Sequence, residues 1–244
     1  MSKIRINRYI SAAGYCSRRE ADKLIEAGRV QLNDELAKIG DLVGAMDIVK
    51  IGGKTIVPLE QNRLVYLAFY KPIGITTTTD RRRKDNIIDY INYPQRIFPI
   101  GRLDRMSEGL ILLTNDGSMV NPILRAENKH EKEYEVVVDK AISDEELWQL
   151  QNGVPILGQI TKFSKTKRLG KNAFRIILTQ GLNRQIRRMC EYLGFEVVSL
   201  KRIRIMHINL GNLQPGTWRY LTYKELNELK RLTGNCNIAT HPLP

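Results

Sequence analysis

Apolar, β-rich runs at 64–70, 109–114, 134–138, 174–179 and 196–204 are separated by gaps of very uneven length, and this irregularity constrains the fold most. A doubly wound sheet needs helices at regular βαβ intervals, whereas here helical patterns fill only some of the gaps. An α+β fold on a mixed sheet is therefore expected. Lys71-Pro72 ends the first run. Ser143 and Glu146 form a capping-box pattern that starts a helix running to about Gln151, where Gly153 and Pro155 stop it. After Gly181, the residues Ile186, Met189, Cys190 and Leu193 recur at spacings of three and four, which predicts another helix. Thr222 with Glu225 caps a last one.

The first sixty residues follow a different plan. Ile6, Tyr9, Ile10 and Ala13 recur at helical spacing until Gly14 breaks the run. Ser17 and Glu20 open a second short helix, with Ala21, Leu24 and Ile25 inward and Gly28 as its stop. Val30-Gln31-Leu32, a turn at Asn33-Asp34 and a strand around 47–51 follow. The stretch 58–63 reads as a linker, which divides the chain into residues 1–60 and 63–244.

The net charge of +13 narrows the partner. A basic excess suits nucleic acid or an anionic membrane surface. No apolar run approaches the roughly 20 residues that a membrane span requires, which favours nucleic acid over a membrane; charge that serves solubility alone is the plainer alternative. The N-terminus lacks the apolar stretch of a signal peptide, and Cys16, Cys190 and Cys236 have no metal-ligand spacing, so reduced thiols in the cytoplasm are expected. His130, His207 and His241 are scattered, and no phosphate-cradling or dinucleotide loop is present; neither metal nor cofactor is expected. Nothing implies an obligate protein partner, so a monomer is expected.

Arg5, Arg8, Arg18, Arg19 and Lys23 gather on the two N-terminal helices, where guanidinium groups could take phosphates in bidentate fashion. The strings Arg5-Ile6-Asn7-Arg8-Tyr9-Ile10, Gly14-Tyr15-Cys16-Ser17-Arg18-Arg19-Glu20-Ala21 and Gly28-Arg29-Val30 together resemble the S4 (αL-type) RNA-binding domain. Further on, Phe98-Pro99-Ile100-Gly101-Arg102-Leu103-Asp104-Arg105-Met106-Ser107-Glu108-Gly109-Leu110 places an Asp in a polar, glycine-bounded loop between arginines. Nearby positive charge keeps a carboxylate ionised and fit for nucleophilic attack. An isolated Arg-Leu-Asp is more often a structural ion pair. The longer string, however, closely resembles the catalytic signature of the RsuA-type pseudouridine synthases.

That resemblance extends through Lys132-Glu133-Tyr134-Glu135-Val136 and Gly181-Leu182-Asn183-Arg184-Gln185-Ile186-Arg187-Arg188-Met189, covering nearly all of 63–232. It implies an RNA-modifying isomerase with an S4-like domain ahead of a mixed α/β-sheet catalytic domain. Asp104 would attack the target uridine, Tyr134 would lie against the base, and Arg187 would pair bidentately with Asp104. Arg102 would fill the space left by an extruded base. Leu103, Arg105, Arg184, Gln185, Ile186 and Arg188 would contact RNA, as would Arg81, Arg82 and Arg83 in a basic loop. Isomerisation loses no group and exchanges no electrons overall, so no cofactor is needed. The wording of residues 130–134 and 181–192 looks most like the branch acting on large-subunit (23S) ribosomal RNA. Small-subunit rRNA and a tRNA stem-loop stay open as alternative or secondary substrates. The rival from another class is a non-catalytic S4-domain RNA-binding or ribosome-assembly factor, for which the set Asp104, Tyr134 and Arg187 would have no use.

Overall fold

The structure, a computed structural model, describes residues 3–60 and 63–234; Cys236, His241 and part of the expected linker lie outside them. The chain divides into two compact units, residues 1–65 with 115–117, and residues 66–114 with 118–244.

The first unit holds β1 (Ile4–Arg5), α1 (Ile6–Ala12), α2 (Arg18–Glu26), β2 (Val30–Leu32), β3 (Glu35–Leu36), β4 (Leu42–Val43), β5 (Val49–Ile51) and β6 (Lys54–Ile56). Its capping box forms as expected: Ser17 Oγ accepts from Glu20 N–H, and the Glu20 carboxylate accepts from Ser17 N–H. Such a cap stabilises a helix by about 1 kcal/mol. Ile6, Ile10, Ala21 and Ile25 pack on Val30, Val49 and Ile51. Asn33 and Asp34 both adopt positive φ (52° and 70°), the conformation of a two-residue hairpin turn, and they join β2 to β3 in a sheet ordered β3-β2-β5-β6. Strands of two residues, such as β1, β3 and β4, carry no readable period, which is why the sequence does not announce them.

The second unit runs β7 (Tyr66–Lys71), α3 (Ile87–Ile91), β8 (Phe98–Ile100), β9 (Glu108–Thr114), α4 (Val120–Leu124), β10 (Lys132–Val138), α5 (Asp144–Asn152), β11 (Pro155–Ile156), β12 (Gln159–Ile160), β13 (Lys165–Arg168) and β14 (Ala173–Leu178). It ends with α6 (Gln185–Tyr192), β15 (Val197–Ile205), β16 (Ile208–Asn209), β17 (Trp218–Tyr220) and α7 (Tyr223–Leu232). The main sheet is ordered β13-β14-β10-β15-β9-β7-β17, with β8 on β9 and β16 on β15. It is mixed: β9 and β15 run parallel, and the other pairings are antiparallel. This is the α+β arrangement expected.

Alternation along β10 sorts the two faces. Val136 and Val138 join a core with Leu147 and Leu150 of α5 and Ile186, Met189 and Cys190 of α6. The opposite face carries charge, where Arg204 pairs with Glu131 and Glu133 and Arg175 with Glu135. Residues paired across strands share a face. The register therefore puts Lys71, Gly109, Arg202 and Tyr134 in one row across β7, β9, β15 and β10, on the core side. Gly109 is obligatory in that row. Its φ is +104°, and a Cβ there would stand 2.3 Å from the Arg202 carbonyl oxygen.

Candidate active site

The row opens into a cavity of about 400 Å³ bordered by Asp104, Tyr134, Arg102, Arg184, Lys132 and Arg202. The loop that presents Asp104 is fixed by its backbone. Leu103, itself buried, donates its N–H to Thr77 Oγ1 (3.2 Å) and accepts from the same hydroxyl (2.8 Å). The Asp104 carbonyl accepts from Ser107 N–H at 3.0 Å, and that of Arg105 from Gly74 N–H at 2.9 Å. From the far side Arg187 Nη2 donates to the Met106 carbonyl at 2.8 Å. With its backbone so held, Asp104 is half-buried and presents a carboxylate that bonds to no side chain among the described residues. A group positioned by its surroundings and left open is ready for an incoming reactant.

Arg187 departs from expectation. It makes no bidentate pair with Asp104; Nη1 goes to the Val197 carbonyl (3.0 Å) and Nη2 to Met106 O. The guanidinium acts as a clamp between α6, β15 and the Asp104 loop, and its influence on the carboxylate is through space. Burial lowers its affinity for the proton, Arg184 adds to that, and Asp104 opposes it.

The remaining arginines separate by partner. Arg102 and Arg184 border the cavity. Arg184 adopts φ +50° at the residue before α6, the kind of left-handed backbone that clusters at functional sites. Arg105 is turned away, bonding Gly74 O and Asp85. Arg188 bonds Asn183. Gln185 and Ile186 are buried in the cavity wall, where Gln185 Oε1 accepts from Leu182 N–H. Arg81, Arg82 and Arg83 sit beside Asp89, Asp80 and Asp85, so RNA phosphates would compete with carboxylates there. In the first unit, Arg5, Arg8, Arg18 and Arg19 are exposed.

Three further cations, Lys132 and Arg202 at the cavity and Lys71 behind the Asp104 loop, were not expected from the sequence. Lys71 is fully buried, its Nζ donating to the carbonyls of Pro72 (2.8 Å) and Ile75 (2.9 Å) and, at 3.5 Å, of Arg105 in the Asp104 loop. Burial draws this ammonium down to about 8, with Asp104 opposing and Arg202 adding to the fall. Lys132 is likewise lowered by burial and then by Arg202. Arg202 is 3% exposed, its Cζ 6.0 Å from the centre of the Tyr134 ring. Alternation could have found two of them: Lys132 lies two residues before Tyr134, and Arg202 two after buried Leu200, each facing inward. Cys190 is a packing residue, its thiol pushed up to about 12 by burial.

Comparison with known proteins decides the class. Residues 65–192 match the model for RNA pseudouridylate synthases, and residues 4–49 match the S4 domain. The chain belongs to the RNA pseudouridylate synthase family. Within it, the chain is 53% identical to the dual-specificity RNA pseudouridine synthase RluF of Shigella flexneri, over 99% of this chain and 83% of that one. It is 35% identical to the ribosomal large subunit pseudouridine synthase B of Bacillus subtilis, over 93% and 96%. A crystal structure of a pseudouridylate synthase superimposes with a TM-score of 0.68 at 27% identity, covering 93% of this chain and 99% of that one. As a pseudouridine synthase of the RluF branch with an S4 domain, the chain is an RNA-modifying isomerase, and the matched region includes Asp104, Tyr134 and Arg187.

Proposed function

We propose that this synthase converts a uridine of large-subunit (23S) ribosomal RNA to pseudouridine in the cytoplasm, with Asp104 as nucleophile and no cofactor. The observation that carries the reading is the open Asp104 carboxylate, held by its backbone in a cavity that also contains Tyr134. The target base leaves its stack at a cost of a few kcal/mol, and Arg102, exposed at the rim, fills the gap. Asp104 captures C1′ as the C1′–N1 bond breaks. The freed uracil turns, and C5 bonds to C1′ as the Asp104–C1′ bond breaks and returns its electron pair to the carboxylate. The C5 proton is then lost with Tyr134 as general base, and N1 takes up a proton. Atoms and electrons balance without a co-reactant. The exposed arginines of the first unit hold the phosphate backbone.

A second substrate is favoured by one finding. Relatives that are 52–53% identical are named dual-specificity RNA synthases, and a tRNA stem-loop fits the same cavity chemistry. The test maps pseudouridines in rRNA and tRNA from cells with and without this gene. Loss of an rRNA position, restored by the wild-type chain but not by Asp104→Asn, is the expected result. Restoration by Asp104→Asn would remove Asp104 from the chemistry, and an unchanged map would remove the activity from ribosomal RNA.

A further inference from the structure

Arg202 presents an anomaly that the mechanism above does not use. Its Nε donates to the Leu110 carbonyl at 2.6 Å, and Nη1 reaches the Arg102 carbonyl at 3.5 Å. Nη2 is sealed from water and has no hydrogen-bond partner among the described residues. Buried donors are almost always satisfied, and an orphaned one on a charged group costs more than on a neutral one. Here the orphan belongs to a side chain that borders the cavity, beside the Tyr134 ring. A guanidinium cannot escape the cost by giving up its proton. An acceptor that entered the cavity and displaced what covers Nη2 would relieve it.

We propose that Arg202 is a catalytic residue that binds a carbonyl oxygen of the target uracil and carries the negative charge the base acquires when it detaches. The inference rests on the synthase reading above. When C1′–N1 breaks, the bonding pair stays on N1, and the uracil becomes a monoanion with charge spread onto its carbonyl oxygens. Asp104 takes the ribose carbon. The anion turns beside a fixed cation, and C5 supplies the electron pair for the new bond to C1′ as the Asp104–C1′ bond breaks and its pair returns to the carboxylate. That step neutralises the base, and loss of the C5 proton with gain of one at N1 restores the conjugated ring. A preorganised donor at developing charge in a site closed to water acts mainly on the chemical step. Lys132 also borders the cavity, which therefore offers more than one donor. Uracil presents a carbonyl where cytosine presents an amino group, and such donors accept the first and reject the second.

The test uses the full chain, a stem-loop RNA bearing the target uridine, and the variants Arg202→Met and Arg202→Lys. RNA affinity and single-turnover conversion are measured separately. Arg202→Met should bind RNA within about threefold of wild type yet convert it about 10²–10³-fold more slowly, the usual loss for one such donor. Arg202→Lys should recover part of the rate, and it carries the test if the Met variant fails to fold. A structural role is separated by the leaving group. With 5-fluorouridine at the target, the base is a weaker base and needs less help in departing, so the wild-type to variant ratio for consumption of that nucleoside should shrink at least tenfold. An unchanged ratio, or full conversion of uridine by Arg202→Met, overturns the role of Arg202 alone. Failure of the wild-type chain to convert any RNA would instead overturn the reading beneath it.

Discussion

Replacing Arg187 with methionine removes the guanidinium that closes on Met106 O at 2.8 Å and Val197 O at 3.0 Å. Hydrogen bonds involving a charged donor contribute about 1.5–3 kcal/mol each, and the contact to Met106 belongs at the lower end because it is exposed. Two terms run the other way. Arg187 Nε is buried with no partner among the described residues, and burial of the cation is already unfavourable. The net loss should be about 2 kcal/mol, or about 4–8 °C in melting temperature for a chain of this size. The informative measurement is a double-mutant cycle with Asp104→Asn, read by thermal and urea unfolding of the free enzyme. Since the two side chains act on each other only through space, their coupling should stay below about 0.5 kcal/mol. Breaking a buried ion pair costs about 3–5 kcal/mol, so a coupling above about 1.5 kcal/mol would refute the clamp and restore the bidentate pair.

Gly109→Ala should destabilise the second unit by more than about 4 kcal/mol, because strain at positive φ, on the order of 1–3 kcal/mol, adds to a Cβ placed against the Arg202 backbone; a melting temperature within 3 °C or so of wild type by circular dichroism would contradict the register of β9 on β15. The Lys71 ammonium, drawn down to about 8, lies below the ~10.4 of an exposed lysine. The unfolded chain therefore binds more protons between those values, the penalty is full below about 8, and it fades as pH rises through that window. Urea unfolding at pH 7.5 and 9.5 should show wild type gaining on Lys71→Met by about 1 kcal/mol per pH unit; an unchanged gap would mean Lys71 titrates normally. The double substitution of Arg18 and Arg19 to Gln should lower the slope of log affinity against log salt for a substrate stem-loop by about 1–2 and leave stability within about 0.5 kcal/mol, since both are exposed.

Long periodic segments were legible in advance. The capping boxes at Ser17, Ser143 and Thr222 form as the spacing predicts. So does the helix carrying Ile186, Met189 and Cys190, although it starts only at Gln185 because Arg184 takes a left-handed turn first. What escaped is what depends on distant neighbours. Lys71 reads as the polar end of a strand, yet it is buried because the Pro72, Ile75 and Arg105 carbonyls fold over its Nζ. Arg187 reads as a carboxylate partner, but the Met106 and Val197 carbonyls reach it first. Arg105 and Arg188 carry no sign in the sequence of the bonds they make to Asp85 and Asn183. Residue type and spacing announce a charge; which groups meet it is decided by loop closure.

The parallel seam between β9 and β15 has a kinetic consequence. Arg202 and Leu110, bonded at 2.6 Å, are 92 residues apart in sequence, and closing so long a loop is slow relative to hairpin formation. During synthesis the Asp104 loop emerges well before the strand that completes its cavity. An unfinished chain therefore has its S4 domain but lacks the strand that completes the cavity. The capacity to break a glycosidic bond is thus the last property the polypeptide acquires.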